Sequence, residues 1–126
     1  MTPSIRVFSS FSVLSIKKSK AFYEYILDFQ TEETFMGVLH LITEGNEPIV
    51  LYEKKNHEPA SFTVLNISVE SLEQTVDALI KKGIDFEQYG GEYIATNEKG
   101  ISDQGSGPKM AWLKDPSGNV IALMEE

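Results

Sequence analysis

The chain contains no cysteine, which removes a disulfide framework, a thiolate metal site and a cysteine nucleophile together. Histidine is nearly as scarce, His40 and His57 being the only two, and neither stands in a recognisable nucleophile motif that would support a catalytic triad. Basic residues are outnumbered: 11 Lys and Arg face 19 Asp and Glu, a net charge of -8. That balance repels polyanions at long range, so neither a nucleic-acid nor a membrane partner is expected. Long apolar runs are missing too. Nothing approaches the roughly 18 residues of a membrane span, and the opening "MTPSIRVFSSFSVL" lacks the basic flank and continuous apolar core of a signal peptide. A soluble cytoplasmic protein is the expectation. Low-complexity tracts are absent, and 126 residues suffice for one domain with a real core.

What is present is alternation followed by helical periodicity, twice. "IRVFSSFSVL" (Ile5 to Leu14) reads as a strand with Phe11 and Val13 on one face and Ser10 and Ser12 on the other. Ser15 can then cap a helix over Ile16 to Phe29, where Ile16, Tyr23, Ile26 and Leu27 recur at helical spacing. Three strands are expected next, "TEETFM", "GVLHLIT" and "EPIVLYEK", with Glu44 to Glu47 turning between the last two. The pattern restarts at "SFTVLNISV". Ser71 opens a capping box with Gln74, Leu72, Val76, Leu79 and Ile80 make a buried stripe, and Gly83 sits where a left-handed residue ends the helix. "DFEQYG", "KMAWLKD" and "NVIALMEE" are the later strand candidates, and a mobile segment is expected over Asn97 to Gly107.

Sliding Val13 onto Val69 pairs Ser15 with Ser71, Ile16 with Leu72 and Tyr23 with Leu79, so strand, helix and three strands are stated twice. Three stretches then carry a resemblance: "VLSIKKSKAFYEYIL" (Val13 to Leu27), "VESLEQTVDALIKKGI" (Val69 to Ile84) and "WLKDPSGNVIAL" (Trp112 to Leu123). Together they resemble the glyoxalase, bleomycin-resistance and extradiol-dioxygenase superfamily, the vicinal oxygen chelate fold. The Asp-Pro-x-Gly-Asn turn into an apolar strand, Asp115 to Asn119, is the most specific of these features. The resemblance implies an α+β fold: a single domain over 1-126, of two βαβββ modules (about 1-56 and 60-126) that form a cup-shaped mixed sheet with helices on the outer face. It also implies a homodimer.

In the metalloenzymes of this family the modules supply cation ligands from the first and last strands. The matching positions here are Phe8, five residues before Val13; Val64, five before Val69; Ala122, three after Asn119; and Val50 or its neighbour. None carries an oxygen, nitrogen or sulfur donor, and the adjoining Ser9, Leu65, Ile121 and Leu123 are no better. No metal and no cofactor is therefore expected, and the resemblance narrows to the metal-free, antibiotic-binding members. Period-two alternation places Phe8, Ser10, Ser12, Val50, Tyr52, Val64, Asn66, Ser68, Trp112, Lys114, Ala122 and Met124 on the cup side. Such a surface suits a flat or partly apolar small molecule held in orientation by Ser, Asn and Tyr.

Each candidate also has a plainer reading. Trp112 is a stacking platform, or else it fills the cup or a dimer interface. Phe8 and Tyr52 can fill the cup with their own rings. His40 alternates with Leu39 and Leu41, so it is a cup-facing acid-base group or an ordinary strand histidine. His57, in "KKNHEP", reads as a solvated loop residue, and Glu53 as a surface carboxylate. "GISDQGSG" has neither the spacing nor the strand-to-helix context of a phosphate loop and is a flap at the rim or an inert loop. The leading expectation is a metal-independent binder of an aromatic or cationic small molecule. Its rivals are a lyase, isomerase or dioxygenase-like enzyme working through His40, Tyr52 or Glu53, and a non-catalytic partner protein with a closed cup.

Overall fold

The computed structural model describes residues 3–103 and 107–125. The chain divides into two compact units, Met1–Glu58 and Pro59–Glu126. In the first, β1 (Ser10–Val13) leads into α1 (Ile16–Ala21) and a π-helical turn (Phe22–Ile26), followed by β2 (Gln30–Glu33), β3 (Val38–Ile42) and β4 (Ile49–Glu53). The sheet order is β1-β4-β3-β2, with β1 parallel to β4 and the remaining pairs antiparallel. The second unit repeats the plan with β5 (Thr63–Ser68), α2 (Leu72–Lys81), β6 (Ile101–Ser102), β7 (Lys109–Lys114) and β8 (Val120–Glu125). Its order is β5-β8-β7-β6, again with the first and last strands parallel. The fold is α+β, two four-stranded mixed sheets each with its own helix. Among the described residues no helix is long and apolar enough to cross a membrane.

Both helices start where a serine hydroxyl replaces a missing intrahelical partner: Lys18 N–H donates to Ser15 Oγ and Gln74 N–H to Ser71 Oγ. A second device sits beside each serine. Ile16 N–H donates to Glu53 Oε1 at 3.0 Å and Leu72 N–H to Glu125 Oε1 at 2.8 Å. In each unit, then, a glutamate at the end of the last strand meets the first N–H of the helix, where the helix dipole favours negative charge.

The expected first helix stops short as an α-helix at Ala21, and five residues continue it as π. The extra residue in the turn lets two consecutive aromatics, Phe22 and Tyr23, both go inward. Tyr23 packs edge-on against Phe22 and Phe29, with ring centroids at 5.1 and 6.0 Å. The segment ends with Asp28 at φ 59, a position usually given to glycine, while Phe29 N–H reaches back to Tyr23 O. Alternation decides the rest of the core. Phe11, Val13, Leu39, Leu41 and Leu51 are buried on one side of the first sheet, and Leu65, Ala111, Leu113, Ile121 and Leu123 on one side of the second with Leu72, Val76 and Leu79 of α2.

Three strand expectations are corrected. The first strand begins at Ser10, not Ile5. Extending its parallel register with β4 (Ser10 beside Val50) back by two sets Phe8 against Pro48, which has no N–H to continue the ladder. Ile5, Val7 and Phe8 are left exposed, and Arg6 instead pairs with Glu47. The hydrogen bond from Arg6 holds the Glu47 carboxyl below the usual carboxylate range. The second strand ends at Glu33, and Phe35 and Met36 form the exposed tip of a turn closed by Gly37. "DFEQYG" is not a strand: Glu87 N–H reaches Trp112 O on β7, but the chain then turns on itself, with Tyr89 N–H donating to Thr96 Oγ1, Thr96 N–H to Tyr89 O and Gly91 N–H to Ile94 O. The missing strand is β6, which falls inside the segment expected to be mobile. Asn97 Oδ1 accepts from Lys99 and Ile101 N–H, and Gly100 at φ 86 turns the chain where a Cβ would lie 2.6 Å from Phe86 Cβ. The remainder of that expected flap, 104–106, lies outside the described residues.

Candidate functional site

The faces away from the buried rows are the places where side chains meet solvent in register. On the first sheet Ser10, Val50, His40 and Glu32 are successive cross-strand neighbours, and the next row is Ser12, Tyr52 and Val38. On the second sheet one row runs Asn66, Ala122, Trp112 and another Ser68, Met124, Met110, Ser102. Of the expected site residues, Ser10, Val50 and Tyr52 thus stand together on the open face of the first sheet, and Asn66, Trp112 and Met124 on that of the second, with Ala122 in the same row but covered. Phe8 lies ahead of β1, 54 % exposed and outside the ladder. Val64 sits at a register shift between Thr63 and Leu65, a bulge that leaves it without a partner in β8.

Trp112 is half-buried, and its ring meets Tyr89 edge to face at a centroid distance of 5.4 Å. Tyr89 was not anticipated as a site residue, since nothing in "DFEQYG" but a strand pattern marks it. Ala122 has no accessible surface between its neighbours Asn66 and Trp112. The strand feeding it is aimed by the Asp115 turn. Asp115 Oδ1 accepts from Ser117 and Asn119 N–H and Oδ2 from Asn119 Nδ2, while Gly118 takes φ 83. All three polar side chains are buried there, so the turn is satisfied internally.

His57 corrects its solvated-loop reading. A turn closed by His57 N–H on Lys54 O brings its Nδ1 to 2.6 Å from Ser12 Oγ, and the ring is partly buried on the open side of the first sheet. The two residues are 45 positions apart, and no local pattern announces the pairing. His40 is half-buried in the row beside Val50. Glu53 is exposed, as the surface reading expects, and it has a task there: it neighbours Val13 on the helix side and accepts from Ile16 N–H at the start of α1, away from the open face.

The positions that would grip a cation fit none. Phe8, Val50, Val64 and Ala122 present only hydrocarbon, and among the described residues no group of three or more His, Asp or Glu side chains is placed to share an ion. A polar hollow of about 240 Å³ at the start of α2 is lined by Glu73, Asp103, Lys109 and Glu125. Two of its carboxylates are already engaged, Glu125 with Leu72 N–H and Lys109, and Glu73 with Lys99. Chemically, the open faces offer hydroxyls, an amide, two imidazoles and aromatic rings, a set suited to hydrogen bonding and stacking.

The fold has many relatives among solved structures. A fosfomycin resistance protein, FosX, from Listeria monocytogenes superposes with a TM-score of 0.72 at 12% identity over 99% of this chain and 95% of that one. A glyoxalase family protein from Bacillus anthracis gives 0.71 at 19% identity over 100% and 99%. TnmS3, an antibiotic binding protein from Streptomyces sp. CB03234, gives 0.68 at 22% identity over 98% of both chains. The sequence has no significant match among curated proteins. Residues 10–123, nearly the whole chain, match the family described as Glyoxalase/Bleomycin resistance protein/Dioxygenase superfamily. By that match and by its twice-stated strand-helix-three-strand plan, the chain belongs to the glyoxalase/bleomycin resistance protein/dioxygenase superfamily.

Proposed function

We propose that this protein is a metal-independent small-molecule binder whose ligand is aromatic or otherwise flat, held against an open sheet face. The observation that carries this reading is the hydrocarbon at Phe8, Val50, Val64 and Ala122, where members of the family that use a cation place its ligands. Without donors there, a bound molecule has no electrophile to polarise it. The second sheet offers the rings of Trp112 and Tyr89 with the Asn66 amide in the Trp112 row, and the first sheet by itself offers Tyr52 with Ser12 beside it, so each supplies stacking area and orientation instead. An antibiotic binding protein among the structural relatives is in keeping with this reading. The protein acts in the cytoplasm as a homodimer.

Titration with a panel of aromatic and cationic antibiotics, followed through the fluorescence of Trp112, the single tryptophan, tests the proposal. A saturable change that survives a chelator is expected. Silence across the panel, or binding abolished by the chelator and restored by a divalent ion, would overturn it. A second reading, a metal-free lyase or isomerase, is favoured by one observation, the placement of His40 on the open face beside Val50. Turnover lost in a His40→Gln variant would select it.

A further inference from the structure

Asn66 and Trp112 share one row of the second sheet, on β5 and β7, with Ala122 of β8 between them. They stand two strand spacings apart, about 10 Å, and Ala122 puts nothing taller than a methyl group in the gap. Met110 and Met124 are register partners in the next row, two residues along β7 and β8 from Trp112 and Ala122, and thioethers make favourable contacts with an aromatic ring. Lys114, in the row on the other side of Trp112, is already ion-paired with Glu87 at 3.2 Å. The other polar side chains in these three rows are the hydroxyls of Thr63, Ser68 and Ser102.

Asn66 is out of character for its place. Asparagine is depleted in strands, because its amide is better used on neighbouring backbone groups in turns and caps. Here it is exposed within β5, and among the described residues its amide meets no hydrogen-bond partner. A hydroxyl rotates to donate or accept as its partner requires, so Thr63, Ser68 and Ser102 discriminate little between ligands. The planar amide is stricter. It holds a donor beside an acceptor whichever way round it is turned, and its complement is likewise an N–H beside a C=O. An aromatic lactam carries that edge in the plane of its rings, and it is neutral, which suits a face whose charge at Lys114 is already balanced.

Resting on the binding reading above, we propose that Asn66 determines the specificity of the second sheet's open face, and that this face takes a neutral aromatic lactam, its N–H and C=O edge on the Asn66 amide and its rings against Trp112 and the two methionines. The probes are 2-quinolone and N-methyl-2-quinolone, which share the rings and the carbonyl and differ in the N–H. Their affinities for the intact chain are measured by NMR titration. The wild type is expected to favour 2-quinolone about tenfold, the worth of roughly one net hydrogen bond. Asn66→Ala changes an exposed side chain, so the sheet stays intact, and it should abolish the preference while leaving the affinity for N-methyl-2-quinolone unchanged. Trp112→Leu should weaken both probes and leave their ratio as it was. Equal affinity of the wild type for the two probes, a preference that survives Asn66→Ala, or binding untouched by Trp112→Leu overturns the lactam site and leaves the binding reading standing. Failure of the wild type to bind either probe also overturns the lactam site, and the binding reading then stands or falls with the antibiotic panel.

Discussion

Ala122 shows what a single methyl group decides. It lies in the middle of β8 with Asn66 on one side and Trp112 on the other, without accessible surface. A carboxylate there would lose its water and find neither a histidine nor a cation in its row. Ala122→Glu is accordingly expected to cost roughly 3 kcal/mol, the penalty of an unpaired buried charge. It should lower the melting temperature without creating an ion site. Thermal melts with and without zinc, manganese or nickel check this: a variant as stable as the wild type, or one rescued by an ion, would contradict the account. His57 makes the complementary point. Its ring takes a place on the sheet because Ser12 accepts or donates to Nδ1 at 2.6 Å, a contact that neither residue's neighbours in the chain foreshadow.

At the scale of elements, the helix starts are the most instructive feature. Ser15 and Ser71 were legible as caps because serine before a helical apolar stripe has one economical use for its hydroxyl. The glutamates were not, since Glu53 and Glu125 lie 37 and 53 residues from the N–H groups they meet. Each should contribute about 1 kcal/mol through the hydrogen bond and the helix dipole. Glu53→Ala and Glu125→Ala are expected to lower urea midpoints. The larger loss belongs to Glu125, whose side chain is less exposed and also faces Lys109 at 3.8 Å. Because the two caps share no partner, the double variant should show the sum of the single losses. Midpoints unmoved by either change would remove the carboxylates from the account of helix initiation. The π-helical turn belongs to this scale too. Its trace in the sequence is the run of aromatics at Phe22, Tyr23 and Tyr25, which helical periodicity alone spreads around the helix instead of placing two neighbours inside.

For the whole molecule, the proposed homodimer makes a direct expectation: light scattering should return twice the chain mass across a range of concentrations, and a monomer at every concentration would refute it. The chain's own residues determined the larger part of this protein. Period-two and helical alternation, the serine caps, Gly83, the Asp115 turn and the hydrocarbon at the cation positions all follow from neighbours within a few residues of one another, so they can be read without coordinates. Tertiary structure alone decided where β1 begins, which backbone groups around Tyr89 leave the ladder, that β6 forms at Ile101, that Glu53 and Glu125 cap helices, and that His57 closes on Ser12. The reason is physical: periodicity is a property of the local chain, whereas a hydrogen bond between residues tens of positions apart exists only once strand register has brought them together.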